Sequence, residues 1–218
     1  MDPLLLDFPF SGRWTVQNSP ANRVPSHGTH LFGTAYAIDF VAVDASGRSA
    51  PPSFRSLFGT EPPEAFTGFG APVLAPVSGT VAAVHDGEPD HEARRSPLSL
   101  AGYALSQPSR VRRGAPGIAG NHVVLAVGSG TGGSYVLLAH LRRGSVSVAA
   151  GDAVAAGSPV GECGNSGNST EPHVHVQATD SMDWDSARGL PLAFARPGGG
   201  GAWLPRNAEV FEVPPRRG

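Results

Sequence analysis

Short apolar runs, each closed by glycine or proline, are the feature that most restricts the fold of this chain. Its 218 residues include 29 Gly and 21 Pro, which are spread along the sequence without a repeat. Between them lie runs such as NHVVLAVG at 121–128 and SYVLLAHL at 134–141. Runs of this length between turn residues are typical of strands. The sequence therefore predicts an all-β fold, an antiparallel β-sandwich or open barrel.

Changes in composition divide the chain into three parts. Residues 1–24 are expected to form an N-terminal strand and lead-in, residues 25–180 one domain, and residues 181–218 a C-terminal extension that is partly flexible. Within the domain, an insertion at about 86–120 has a helix-tolerant, arginine-rich composition. We expect this insertion to be irregular and partly helical, as a helical hairpin or a lid.

Lysine is absent from the chain, because all 16 cationic side chains are arginines. This absence excludes a Walker-type phosphate loop, Schiff-base or Ser-Lys chemistry, and a biotin or lipoate carrier, since each of these needs a lysine. A net charge of -2 without a long basic run argues against nucleic-acid binding. No stretch approaches the roughly 20 apolar residues that span a bilayer.

The N-terminus and the single cysteine bear on the compartment. Cys163 has no second cysteine with which to form a disulfide inside the chain. The N-terminal segment has an acid at position 2 and only three consecutive leucines, unlike the basic start and longer apolar core of a signal peptide. The N-terminal segment predicts a cytoplasmic protein, whereas the cysteine count neither argues for an oxidising compartment nor excludes one.

The segment PHVHVQ at 172–177 is the sharpest local motif. Side chains alternate along a strand, so His173 and His175 are expected on one face while Val174 and Val176 pack into the core. The two histidines alone are equally compatible with an ordinary solvated strand face. Their interpretation depends on what other strands bring beside them.

Two further strands carry polar groups among apolar neighbours. Asp39 lies within YAIDFVAVD and His140 within SYVLLAHL, while His27 and His30 precede Asp39. Each has an ordinary alternative, because a buried Asp can pair with an arginine and a core His can simply be hydrogen-bonded. If the strands converge, however, two His and one Asp could surround a cation with two more His beside it, the composition of a catalytic zinc site.

Other histidines are interpreted without a metal. The segment HDGEPDHE at 85–92 is best explained as a hydrophilic turn that opens the insertion, although it could hold a second cation. His122 stands at the start of a predicted strand and is most simply a structural hydrogen-bonding residue. GNSGNS at 164–169 leads into a strand, which favours a tight turn rather than a phosphate-binding loop.

Together these motifs resemble the lysostaphin-type, LytM-like zinc endopeptidases that cut peptidoglycan cross-bridges. The resemblance covers roughly residues 25–180 and is most specific in GNSGNSTEPHVHVQ, whereas YAIDF alone is weak. It implies one zinc ion bound by Asp39, His175 and an upstream His, with His140 and His173 as an uncoordinated catalytic pair. It also implies hydrolysis of peptide bonds in peptidoglycan by metal-activated water, and hence a place in the cell envelope.

The sequence departs from the family pattern in the spacing of the first ligand. The family places this His four residues before the Asp, whereas His27 and His30 stand 12 and 9 residues before Asp39. We favour His27, which directly precedes a glycine, and keep His30 as the alternate. The insertion at about 86–120 is a second departure. A non-catalytic module on the same fold, which binds peptidoglycan or regulates another hydrolase, is the alternative function.

Overall fold

The computed structural model describes residues 2–96, 114–128 and 133–215. Most of the regular structure in these ranges is β-strand, with two short α-helices and two 3-10 turns. The strands are β1 Leu4–Leu6, β2 Gly12–Gln17, β3 Ile38–Ala42, β4 Pro72–Leu74, β5 Gly79–His85, β6 Asn121–Val127, β7 Ser134–Leu141, β8 Ala153–Val154, β9 Pro159–Glu162, β10 Val174–Thr179, β11 Leu192–Ala195, β12 Ala202–Trp203 and β13 Val210–Val213. The α-helices are α1 Arg55–Phe58 and α2 Gly114–Ala119, and the 3-10 turns are Leu31–Tyr36 and Pro63–Ala65.

An eight-stranded sheet in the order β13-β2-β3-β10-β7-β6-β5-β8 forms the centre of the fold. All its neighbouring strands are antiparallel. The sheet ends at β13 and β8 and does not close into a barrel. The predicted all-β, antiparallel fold is thereby confirmed.

Two small sheets cover one face of the central sheet and complete the core. One pairs β1 in parallel with β11, which pairs in turn with β12, and the other joins β4 to β9. Their side chains join a single cluster with those of the central sheet, for example Phe194 and Val73 with Phe40 and Leu138, each fully buried. Apolar residues on alternate positions of the strands therefore face this core.

The opposite face of the central sheet carries the polar side chains. In β10, Val174 and Val176 belong to the core cluster, while His175 and Gln177 lie on the other face. A smaller apolar cluster of Val124, Leu137, Ala139 and Ala119 lies on that face as well. The sheet therefore has one face that packs and one that borders a cleft.

Most of the expected insertion lies outside the described residues, since 97–113 are not described. Its first part, up to residue 96, contains no regular element, and its last part forms α2. The loop before β4 is attached to the first part, because Glu61 and Ala93 pair as a bridge and Arg95 donates two hydrogen bonds, of 2.7 and 2.8 Å, to the Glu61 carboxylate. The predicted helical hairpin or lid is thus an expectation for residues that the structure does not cover.

Within the described ranges, none of the helices combines the length and the apolar composition that crossing a membrane requires.

Candidate metal centre and catalytic site

Asp39 is the centre of a cluster built from three parts of the chain. In the pairing of β10 with β3, His175 stands directly opposite Asp39. The His175 Nδ1 atom lies 2.8 Å from Asp39 Oδ1, and the His27 Nε2 atom lies 3.0 Å from Asp39 Oδ2. One potential ligand atom from each of these three residues lies within 4.8 Å of the other two. Asn18 Nδ2 also donates to Asp39 Oδ2 at 2.8 Å.

The loop between β2 and β3 brings His27 to this cluster and leaves His30 outside it. Ser26 anchors the loop, because its N–H donates to Ala35 O and its hydroxyl donates to Ala37 O. His30 precedes the 3-10 turn and is exposed. Neither histidine lies in a strand, so strand alternation does not decide between them.

The ring nitrogen of His175 that faces away from Asp39 is held by Gln177. The Gln177 amide group donates from Nε2 to Phe32 O at 3.0 Å, which leaves its Oε1 as the acceptor. His175 Nε2 lies 3.0 Å from that oxygen and must carry the proton of this hydrogen bond. The Nδ1 atom that faces Asp39 is therefore the lone-pair nitrogen of the neutral ring.

The hydrogen bonds of His27 determine in the same way which of its ring nitrogens carries the proton. The Ser26 hydroxyl proton is donated to Ala37 O at 2.6 Å, so Ser26 Oγ can only accept from His27 Nδ1, 3.0 Å away. The Nε2 lone pair then faces the Asp39 carboxylate. Two lone pairs directed at a carboxylate repel it unless a cation lies between them, and two imidazole nitrogens with one carboxylate oxygen form a donor set that suits zinc.

Charge and burial act in opposite directions on this cluster. Burial raises the pKa of Asp39, but the charges that His27 and His173 carry when protonated, and the hydrogen bonds that protonated His175 and His27 donate in place of a metal ion, outweigh it, so the pKa lies well below its ordinary value. Burial lowers the pKa of His175, but the hydrogen bond that its protonated Nδ1 would donate to Asp39 in place of a metal ion, together with the charge of Asp39, raises it above its ordinary value. Asp39 is thus held as a carboxylate that attracts positive charge.

His140 and His173 form a second pair beside the cluster, with ring centres 4.6 Å apart. His140 Nδ1 donates to Ser166 O at 2.9 Å, and His173 Nδ1 donates to Glu171 O at 2.8 Å. In the neutral form of each ring, Nε2 is therefore the unprotonated nitrogen. Burial, reinforced by the charges of His173 and His175, holds the pKa of His140 well below its ordinary value, so this ring is a neutral base near pH 7.

His140 and His173 also belong to an alternative metal-binding set. Their nitrogens and one of His175 lie within 4.8 Å of one another. This all-imidazole set shares His175 with the set that contains Asp39. His173 Nε2 is 3.6 Å from Asp39 Oδ1, a longer separation than those of His27 and His175 from the same carboxylate.

A cleft of about 540 Å3 opens over the cluster. It is lined by all five residues named above, namely His27, Asp39, His140, His173 and His175. Apolar side chains line much of the rest, among them Leu31, Leu137 and Trp184. The cleft is therefore large enough for a segment of peptide chain beside the cluster.

Several residues that hydrogen-bond to the histidines and to Asp39 are not among those that the sequence predicts. Gln177 could have been found, because it follows His175 by two positions and shares its strand face. Asn18, Ser26 and Ser166 carry no such signal, since they approach the site through turns and over long distances in the sequence.

The other histidine-rich segment does not join this cluster. Asp86 accepts backbone N–H groups from Gly144 and Val146, and Asp90 accepts those from Arg143 and Asn165. These acids therefore hold loops in place. Cys163 is fully buried, and burial raises the pKa of its thiol.

Comparison with known proteins finds one matching family model. Residues 103–185, the segment that carries His140, His173 and His175, match the model of peptidase family M23. The resemblance to the LytM-like group that the motifs predict is confirmed by this match. His27 and Asp39 precede the matched segment. A search of curated proteins gives no significant match.

Solved structures with similarity to this chain include three peptidases. The lysostaphin catalytic domain from Staphylococcus simulans is 18% identical, with 74% of this chain and 86% of that one covered and a TM-score of 0.38. A variant catalytic domain of the prophage-encoded M23 protein EnpA from Enterococcus faecalis is 19% identical over 71% and 73%, with a TM-score of 0.40. A protein described as a putative glycyl-glycine endopeptidase lytM from Ruminococcus gnavus is 15% identical over 85% and 57%, with a TM-score of 0.42.

Proposed function

We propose that this protein is a zinc-dependent endopeptidase that hydrolyses peptide bonds in the cross-links of peptidoglycan. One observation carries the proposal: the hydrogen bonds of Gln177 and Ser26 fix the imidazoles of His175 and His27 so that their lone pairs converge on the Asp39 carboxylate. The match of residues 103–185 to the model of peptidase family M23 supports the peptidase activity. The lysostaphin-type motifs of the sequence support the choice of peptidoglycan peptides.

His27, Asp39 and His175 are the residues that would hold the zinc ion. They would supply two nitrogens and one carboxylate oxygen, a donor set that suits zinc. When bound there, zinc supplies a Lewis acid that polarises an amide carbonyl and makes a water molecule more acidic. His140 and His173 are proposed to remain free of the metal, because a proton acceptor must have an uncoordinated nitrogen.

The catalytic pair would move the proton during hydrolysis. The Nδ1 proton of each ring is held by a main-chain carbonyl, from Ser166 for His140 and from Glu171 for His173. The free Nε2 atoms can accept a proton from the attacking water and return it to the leaving amine. A protonated ring also stabilises the negative charge that develops on the carbonyl oxygen. No covalent intermediate with the protein is required.

Digestion of defined muropeptides tests the proposed reaction. We expect the purified protein with zinc to cleave cross-linked muropeptides, to lose this activity after treatment with a chelator, and to regain it when zinc is restored. Mass spectrometry of the products locates the cleaved bond. Zinc-loaded protein that binds the muropeptides without cleaving them would contradict the proposal and favour a binding module.

A further inference from the structure

His122 continues a row of side chains that begins at the proposed metal ligands. His175 is paired with Asp39 on one side and with Ala139 on the other. The pairing of β6 with β7 is irregular between Asn121 and Val123, which places His122 opposite Ala139 and His140. The row thus runs across neighbouring strands from Asp39 to His122. At a strand spacing of about 4.8 Å, His122 lies roughly 10 Å from His175.

The hydrogen bonds of His122 leave one nitrogen available to a ligand. Its Nδ1 atom lies 2.7 Å from Gly120 O, and a carbonyl can only accept, so Nδ1 carries a proton. Burial lowers the pKa of this ring, whose side chain lines the cleft. No group in the described part of the chain hydrogen-bonds to Nε2, and this atom is not fully enclosed by protein. The ring therefore presents a lone pair as an acceptor to the cleft.

Apolar side chains surround this acceptor on the same face of the sheet. Ala119, Leu137 and Ala139 belong to one buried cluster, against which Trp184 packs, and all four residues line the cleft. An unpaired polar nitrogen among apolar neighbours favours a ligand that supplies one N–H together with apolar surface.

We propose that His122 is a specificity-determining residue of a peptide subsite. Its Nε2 accepts a hydrogen bond from a main-chain amide N–H of the substrate. An adjacent apolar side chain of the substrate contacts the cluster of Ala119, Leu137, Ala139 and Trp184. This inference rests on the proposed function, because the cleft is taken to bind the substrate peptide. It adds to that function a chemical preference for an apolar residue about three positions from the scissile bond.

A neutral amide fits this subsite better than an ammonium group. Asp39 is the only acid among the described residues that line the cleft, and the side chain of the nearby Glu88 is paired with His85 at 3.6 Å. Burying an ammonium there would therefore cost more than burying an amide. The distance from His175 to His122 corresponds to about three residues of extended peptide, so the recognised N–H lies about three positions from the scissile bond.

An N-methyl scan of a short peptide tests the hydrogen bond directly. The probe is hexaalanine with an acetylated N-terminus and an amidated C-terminus, and each of its amides is methylated in turn. Binding is measured by calorimetry to the zinc-loaded His173→Ala protein, which retains His122 and is not expected to turn over. We expect methylation at one position to weaken binding about threefold to tenfold, the loss of one hydrogen bond.

Variants of His122, made in the same His173→Ala protein, show whether the sensitive peptide amide binds to His122. In His122→Phe, which keeps the ring but lacks an acceptor, the same methylation should have less than a twofold effect. In His122→Gln, whose amide oxygen can accept, part of the sensitivity should return. His85→Gln is the matched control, because His85 stacks on His122 but is more exposed. It should show the same methylation profile as the parent protein, which is the His173→Ala protein without a second substitution.

Two comparisons complete the test. Blocked hexaglycine should bind more weakly than hexaalanine, since it lacks the apolar side chains. A methylation profile that is the same in the parent protein and in His122→Phe would overturn the inference, as would failure of the parent protein to bind hexaalanine. If the protein cleaves muropeptides but the methylation profile does not depend on His122, the role of His122 is wrong and the peptidase proposal stands. If the profile depends on His122 but muropeptides are not cleaved, the peptidase proposal is wrong and the binding role of His122 stands.

Discussion

At the scale of single residues, the orientation of His27 and His175 depends on groups that do not touch the proposed metal position. Ser26 and Gln177 each accept a hydrogen bond from the ring nitrogen that faces away from Asp39. Both acceptors are fixed in turn by main-chain carbonyls, those of Ala37 and Phe32. The cluster is thereby prepared to bind a cation before the cation arrives.

Replacing Gln177 should weaken metal binding without removing a ligand. Gln177→Leu keeps a similar side-chain volume but cannot accept the hydrogen bond from His175 Nε2, so the ring can rotate or change tautomer. We expect zinc affinity to fall about 10-fold to 100-fold, measured by competition with a chromogenic chelator. Gln17→Leu is the control, since Gln17 lines the same cleft but bonds to Glu171. Equal affinities in the two variants would show that Gln177 does not orient the ligand.

Sequence reasoning reaches part of this arrangement. The alternation of PHVHVQ is sufficient to place His173 and His175 side by side, and the surroundings of Asp39 point to a buried carboxylate. The choice between His27 and His30 could not be made from periodicity. It depends on a turn in which Phe32 and Gly33 have positive φ angles of 56° and 73°, and such irregular backbone is not encoded in a repeating pattern.

At the scale of elements, the turn GNSGNS at 164–169 links β7, which carries His140, to the segment before β6. Its Ser166 carbonyl accepts from His140 Nδ1, and its Asn168 N–H donates to Ile118 O. Gly167 has a φ of 69°, and a Cβ atom there would lie 2.5 Å from both Gly120 N and Ile118 O. The turn can therefore pack against this segment only because position 167 has no side chain.

Gly167→Ala should be strongly destabilising. The added methyl group combines left-handed backbone strain with overpacking against main-chain atoms, so we expect a loss of about 3 kcal/mol in the free energy of unfolding. Gly144→Ala is a matched control, because Gly144 has a φ of 73° but open space around the position. It should lose only about 1 kcal/mol. Urea unfolding measures both values, and equal losses would contradict the packing role of the turn.

The strands differ in how far the sequence predicts them. β6 and β7 follow directly from uninterrupted apolar runs that lie between turns. The parallel pairing of β1 with β11 does not, because Leu4–Leu6 is only three residues long and its partner lies far along the chain. Such long-range contacts depend on tertiary packing rather than on local pattern.

At the scale of the whole molecule, both ends of the described chain support the site. β13 pairs with β2, which pairs with β3, the strand that carries Asp39. The Ser19 N–H donates to Asn207 Oδ1 at 2.6 Å, and the Asn207 N–H donates to Asn22 Oδ1 at 2.9 Å. The loop that leads to His27 is therefore held by residues near the C-terminus.

Phe211 tests the contribution of this C-terminal strand. Its ring centre lies 4.8 Å from that of Phe8 and 5.0 Å from that of Trp203, so Phe211→Ala should leave a gap in the aromatic part of the core. We expect it to lower the free energy of unfolding by about 2–3 kcal/mol, less than for a fully buried Phe. The neighbouring Val210 is 47% exposed, and Val210→Ala should change stability by less than about 0.5 kcal/mol. A Phe211→Ala protein as stable as the control would contradict the structural role of β13.

Zinc content is the most direct test of the central proposal, that His27, Asp39 and His175 bind the metal and that His140 does not. Each variant is loaded with zinc, dialysed and measured by atomic emission, with unfolding curves to confirm that it is folded. We expect about one zinc per chain in His140→Ala and His30→Ala, and almost none in His27→Ala, Asp39→Ala and His175→Ala. His140→Ala should nevertheless be inactive on muropeptides. Equal zinc contents in all five variants, or loss of zinc in His140→Ala with retention in Asp39→Ala, would contradict the account.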